Sequence, residues 1–221
     1  PGGSIQHVGT PDHGWKTCVG RPDLIMMSSN NRLPQDDGNN QDCIIYGFGI
    51  GQYLDWDLEM ANMYPHCQVY SFDPTPTALS HMYGPKRTIQ QLKDNHFYIP
   101  IGLAHFDGLL QLFAPASGDQ FTREFRTERN GQAGTIHIPV QTVESIMDGL
   151  GHDHITILKI DIEGGEFQVL EQMHVSETLN KVRQIMLEAH FFTVSSDNKS
   201  SRELERLHQL LTFHGFQKFH D

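Results

Sequence analysis

The sequence predicts one α/β domain: a doubly wound, mostly parallel sheet with helices on both faces. Three observations lead there. From residue 43 onward, short apolar runs rich in β-branched and aromatic residues alternate with stretches of helical periodicity. A glycine-rich turn, Gly47-Phe48-Gly49-Ile50-Gly51, joins the first run to a helical stretch. The run His154-Ile155-Thr156-Ile157-Leu158-Lys159-Ile160 is nearly continuous rather than alternating, as expected of a strand buried on both faces. A chain of 221 residues is the size of one such domain with a substantial core.

Residues 1–41 are rich in Gly, Pro, Asn and Asp without sustained periodicity, so they read as an irregular leader with room for one short helix. Its dense cluster, Gly14-Trp15-Lys16-Thr17-Cys18, suits either a lid over the cofactor mouth or a tryptophan anchor for a loose segment. The domain proper is expected over 42–221. Cys43-Ile44-Ile45-Tyr46 forms its first strand, and Leu54, Leu58 and Ala61 mark a helix. The second strand, 68–73, is stopped by Pro74 and Pro76. Ile89 and Leu92 suggest a helix before a third strand over 97–101. Runs 109–113 and 136–140 read as an added strand pair flanking the polar loop 117–134. Thr142 caps a helix reaching Leu150, and 154–160 is the fourth strand. Phe167, Leu170 and Met173 mark the next helix, followed by a fifth strand over 184–188. Leu204, Leu207, Leu210 and Leu211 line the last helix. A sixth strand is expected from 216 to 219, with one further strand of such a fold lacking.

The formal charge is -11, from 27 acids against 16 bases. A surface of that sign repels phosphate backbones and anionic membranes, so neither nucleic acid nor membrane contact is expected of this stretch. No run reaches the roughly 18 apolar residues of a membrane helix. Three cysteines, Cys18, Cys43 and Cys67, fit either a reduced compartment or one disulfide with a free thiol, and whether Cys18 pairs with Cys43 stays open. Composition leaves the oligomeric state open as well.

The glycine turn carries the first chemical reading. A dinucleotide site wants G-x-G-x-x-G, but the third glycine comes one residue early and Gln52 stands in its place. With no pyrophosphate to cradle, the turn better suits a compact nucleoside such as S-adenosylmethionine. Asp73, 22 residues after Gly51, ends the second strand where ribose hydroxyls would lie. A dinucleotide-dependent oxidoreductase is the first alternative; a ligand-binding module of the same fold without catalysis is the second.

Ligands of a doubly wound sheet bind over the carboxyl ends of its strands. That rule selects Asp73, Gly102, Leu103, Ala104, His105, Asp161, Glu163, Glu188 and His190. His152-Asp153-His154 resembles a metal clip but precedes a strand, so it reads as solvated loop at the opposite edge. Glu163 and Glu166 suit first-turn acids favoured by a helix dipole, Glu166 above all. Glu188 and His190, two apart on an extended strand, point to one side. With Asp161 they form a candidate catalytic cluster. It could hold Mg²⁺ or Mn²⁺ as an Asp161, Glu188, His190 ligand set, or act without metal as a general base with carboxylate support.

Gly47-Phe48-Gly49-Ile50-Gly51, Ser71-Phe72-Asp73-Pro74, Pro100-Ile101-Gly102-Leu103 and above all Leu158-Lys159-Ile160-Asp161-Ile162-Glu163-Gly164-Gly165-Glu166 resemble FkbM-type class I methyltransferases. The animal methyltransferase-like branch is the most similar, through Gly14-Trp15-Lys16-Thr17-Cys18 and Glu188-Ala189-His190. The resemblance covers roughly residues 13–220. It implies a Rossmann-like fold and S-adenosylmethionine as donor, with methyl transfer to a hydroxyl oxygen, often of a sugar or glycan. It assigns Gly47, Phe48, Gly49 and Gly51 to the methionine end of the donor and Asp73 to the ribose. Gly102 and Leu103 fall beside the adenine, and Asp161 at the transfer cleft. It also implies the lumen of the secretory pathway, the Golgi in particular, with the cytoplasm as the alternative. One departure stands out: the acid that often ends the first strand is Tyr46 here.

Overall fold

A computed structural model describes residues 4–8, 15–19, 43–85, 88–114, 125, 127, 134–190 and 199–217. In the segment read as irregular, β1 (Ser4–Val8) and β2 (Trp15–Val19) form an antiparallel hairpin, with β1 alongside α1 (Asp55–Met63). Five amino acids are too few for periodicity to stand out, which is why the leader reads as irregular. Four residues of the cluster read as a lid or anchor, Trp15 to Cys18, thus lie in β2, and the rest of the leader lies outside the described residues.

The central sheet has the order β10-β9-β3-β4-β5, and every neighbouring pair is parallel. Its strands are β3 (Cys43–Phe48), β4 (Cys67–Phe72), β5 (His96–Ile99), β9 (Ile155–Ile160) and β10 (Val182–Leu187). Side-chain alternation along β3 feeds two cores. Ile44, Tyr46 and Phe48 pack with Val143, Met147, Leu170, Met173 and Leu207, from the helices α3 (Val143–Leu150), α4 (Glu166–Val175) and α5 (Lys199–Phe213). Cys43 and Ile45 face the other way, against Trp56, Met60 and Ala61 of α1. Helices therefore cover both faces, as the continuous run over β9 requires. Among the described residues no helix is long and apolar enough to cross a membrane.

Three elements differ from expectation. The prolines that end β4 also start a helix, α2 (Pro76–Tyr83), with Pro76 in its first turn and the Thr75 hydroxyl accepting from Ala78 N–H. The helix expected around Ile89 and Leu92 is a single 3₁₀ segment, Thr88–Gln91. The added pair, β7 (Gly108–Ala114) and β8 (Gly134–Gln141), is joined by β6 (Gly102–Leu103) in a separate three-stranded sheet. Phe216 packs on the core outside any strand, and the remainder of the expected sixth strand, from 218, lies outside the described residues.

Cys43 and Cys67 face each other in register at the start of β3 and β4 and are joined as a disulfide. The bridge closes a loop with a sequence separation of 24. By the chain-entropy rule such a closure is worth roughly 3 to 4 kcal/mol.

A histidine pair fastens α5 to α4. His214 Nδ1 lies 2.8 Å from Asn180 Oδ1, an acceptor, so it carries the proton. Neutral Nε2 then accepts from His174 Nδ1 at 2.7 Å. Burial, reinforced by His174 and opposed by Glu177, lowers the His214 pKa. A depressed histidine favours its neutral form in the fold, so its contribution is complete above the ordinary histidine value of about 6.5 and is lost as pH falls below it. The melting temperature of the wild type is expected to fall more than that of His214→Gln between pH 7.5 and pH 5.5. Equal slopes in a melt series would remove this pair from the pH response.

Candidate functional site

At the carboxyl edge of the sheet the strand ends are knitted together. Gly49 N–H donates to Phe72 O at 3.1 Å, Asp161 N–H to Phe48 O at 3.2 Å, and Glu188 N–H to Ile160 O at 3.0 Å. The chain leaves β3 toward β4 and β5 on one side and returns through β9 and β10 on the other. Gly49 and Asp161 thus meet at the topological switch point.

The glycines have distinct tasks. Gly49 has φ +80°, and a Cβ built there would lie 1.5 Å from the carbonyl oxygen of Asp161. Close backbone approach therefore excludes any side chain. Gly51 has φ +56° with open space around it, so its requirement is conformational and its face is clear for a ligand. Lys159, buried in β9, donates from Nζ to Gly49 O at 3.0 Å and lies 3.7 Å from Asp161 Oδ2. Nothing in the strand pattern singles Lys159 out except its charge: a lysine inside an apolar run must find a partner.

Asp73 is nearly fully buried and serves the loop directly. Its Oδ2 accepts from the N–H groups of Ile50 (3.1 Å) and Gly51 (2.9 Å), and Oδ1 from Thr75 N–H (2.8 Å). Gly102 sits where a Cβ would press on Pro74, Ile138 and Val140, and the Leu103 side chain belongs to the main core. The ring of Phe48 is fully buried and stacked on Phe72 at 4.5 Å, so it supports the turn from beneath. One reading is corrected here. His152 is a half-buried latch rather than solvated loop, its Nδ1 2.6 Å from the hydroxyl of Tyr46. That bond also accounts for Tyr46, whose ring is committed to the core.

Asp161, Glu163 and His190 bring ligand atoms within 4.8 Å of one another. Glu188 is more exposed and approaches His190 Nε2 to 3.7 Å, the same distance as Glu163. The compact set of possible metal ligands is therefore Asp161, Glu163 and His190, with Glu188 at its rim. Glu163 sits in a turn of three successive left-handed residues: Glu163 (φ 56°), Gly164 (φ 105°) and Gly165 (φ 100°). Thr127, from the insertion after β7, donates its N–H to Glu163 O at 3.3 Å. Most of that insertion lies outside the described residues.

Glu166 is the residue sequence reasoning missed. It opens α4, as a first-turn acid should, yet is wholly buried and hydrogen-bonded to His190 Nδ1 at 2.9 Å. Burial disfavours the imidazolium, but the bond to Glu166 and the charges of Glu163, Glu166 and Asp161 outweigh it, so His190 holds its proton well above the ordinary histidine range. Burial pushes the Asp161 carboxyl up to about 6; Glu188 and Glu166 add to this, while Lys159 and His190 oppose it. Four carboxylates thus face one imidazole and one ammonium, an arrangement that attracts cations.

The family described as "Methyltransferase FkbM domain" matches residues 41–218, from the start of β3 to beyond α5. The chain belongs to this family. As an FkbM methyltransferase domain it carries the Rossmann-like class I architecture described above. It is 25% identical over 204 residues to a human relative described as "Probable methyltransferase-like protein 24", covering 89% of this chain and 45% of that one. It is 24% identical over 204 residues to the AMB antimetabolite synthetase AmbE of Pseudomonas aeruginosa, covering 77% of this chain and 9% of that one. The chain thus spans less than half the length of these curated relatives. No solved structure matches it. Membership sets the chain among methyltransferases, in keeping with Gln52 where a dinucleotide loop would have glycine.

Proposed function

We propose that this FkbM methyltransferase domain transfers a methyl group from S-adenosylmethionine to a hydroxyl oxygen, most plainly that of a sugar or glycan. The observation that carries the reading is the contact of Gly49 with Asp161, which sets the donor loop directly beside the acid–imidazole cluster. Gly47, Gly49 and Gly51 provide the loop, Asp73 the acceptor oxygens at the ribose, and Gly102 and Leu103 the border of the base. The open face of Gly51 and the carboxylates at the switch point fit a compact cationic nucleoside. When bound, the donor supplies an electrophilic methyl.

An alcohol needs its proton removed to attack well. Asp161 is placed to take it, as is the His190 imidazole once its Nε2 proton has left to solvent. A positive charge entering the cluster lowers the proton affinity of His190, and the neutral ring then offers Nε2 to the acceptor hydroxyl. Asp161, Glu163 and His190 also suit a divalent cation, Mg²⁺ or Mn²⁺, as a second reading of the same cluster, with Glu188 lining its outer side. The acidic surface favours a neutral or cationic acceptor. The Cys43–Cys67 disulfide supports an oxidising compartment, the lumen of the secretory pathway.

The test is incubation with methyl-labelled S-adenosylmethionine and a panel of glycans, with and without chelator and with Mg²⁺ or Mn²⁺ restored. Label in an alkali-stable methyl ether supports the reading. Label in carboxylate esters or amines, or none with donor bound, would refute it. Full activity in chelator leaves the metal-free base alone.

A further inference from the structure

We infer that Glu166 is the positioning residue of this site: its buried carboxylate holds the His190 ring so that Nε2, rather than Nδ1, faces Asp161, Glu163 and Glu188. The inference deepens the proposed methyl transfer and rests on it for its kinetic consequence, though not for its structural one.

Glu166 Oε1 accepts from Gly164 N–H at 3.0 Å and lies 2.9 Å from His190 Nδ1. An ionised carboxylate has no hydrogen to give, so the second bond requires a proton on Nδ1. A neutral His190 therefore carries its lone pair on Nε2. That atom has Glu163 Oε2 and Glu188 Oε1 each 3.7 Å away, beyond hydrogen-bond length and on the side of Asp161. Whether a proton or a metal ion is to be received there, the ring presents the right nitrogen in advance.

The surrounding structure is costly unless it serves this end. A wholly buried carboxylate is expensive without full compensation, and Glu166 Oε2 has no hydrogen-bond partner among the described residues. Glu163 is held at a left-handed φ that a non-glycine residue seldom adopts, followed by two glycines with φ near 100°. An acid stabilising only the helix dipole would sit at the surface and need none of this. The turn brings the first residue of α4 against His190, and the dyad links α4 to the end of β10.

The experiment uses the whole chain labelled with ¹⁵N, with long-range ¹H–¹⁵N spectra of the imidazoles recorded where His190 is neutral and its signals assigned by His190→Ala. The wild type is expected in the Nδ1–H form, as is Glu166→Gln, which keeps an acceptor oxygen. Glu166→Ala is expected to shift His190 toward Nε2–H and to lower turnover by about 10- to 100-fold, with the KM for S-adenosylmethionine unchanged and Glu166→Gln in between. In a His190→Ala background, Glu166→Ala should add no further loss. An Nε2–H ring in the wild type, or full additivity with His190→Ala, overturns the assignment. Should Glu166→Ala fail to fold, the Gln variant decides: wild-type tautomer with partial turnover supports the inference, a flipped tautomer refutes it. Unchanged turnover in His190→Ala would instead strike at the proposed mechanism, while the tautomer still decides the role of Glu166.

Discussion

His190→Ala is expected to lower turnover by about 10²- to 10⁴-fold, the range for loss of a positioned acid–base group, while the dissociation constant for S-adenosylmethionine moves by no more than about threefold. The expectation follows from where the ring sits. It lies at the end of β10 across from Asp161, bonded to Glu166 and facing Glu163 and Glu188. The variant also removes a cation from among four carboxylates, so donor binding should tighten rather than weaken, since the sulfonium replaces the lost charge. Single-turnover rates and calorimetric titration on the same preparations separate the two effects. Wild-type turnover in the variant would remove His190 from the chemistry; a lost binding isotherm would reassign it to the donor site.

Asp73→Ala should act in the opposite sense, weakening the donor by 100-fold or more, about 3 kcal/mol, with little change in turnover at saturation. Three backbone N–H groups converge on this carboxylate, two of them from the glycine loop. Hydrogen bonds to a charged acceptor are worth roughly 1.5 to 3 kcal/mol each, so alanine leaves the loop without its main restraint. Asp73→Asn should fall between: one oxygen still serves Ile50 and Gly51, but the amide nitrogen then opposes Thr75 N–H or the loop itself. Calorimetry with S-adenosylmethionine checks the order wild type, Asn, Ala. Equal affinities would take Asp73 out of the site.

Much of this site can be read from the linear chain because its landmarks are local. Gly51 is demanded by a left-handed backbone within the turn itself, and Asp73 by its place at the end of a strand. Asp161, Glu188 and His190 follow from one rule, that the carboxyl ends of parallel strands share an edge. Other features leave no local mark. Pro76 reads as a strand breaker and equally as a helix start, and only the Thr75 cap separates the two. Gly49 looks like any turn glycine until Asp161 O arrives from 112 residues away.

Glu163 and Glu166 show the limit most clearly. As a string, Glu163-Gly164-Gly165-Glu166 describes acids at a helix start, and that description is correct for Glu166, which opens α4. Its burial and its bond to His190 come from a residue 24 positions later. The succession of central strands, the sheet edge and the glycine loop were legible in periodicity and glycine placement, which act over a few neighbouring residues. Which carboxylate bonds the imidazole, and which lies beside Asp161 and His190, were decided by packing, because burial and hydrogen bonding depend on what the remote chain brings alongside.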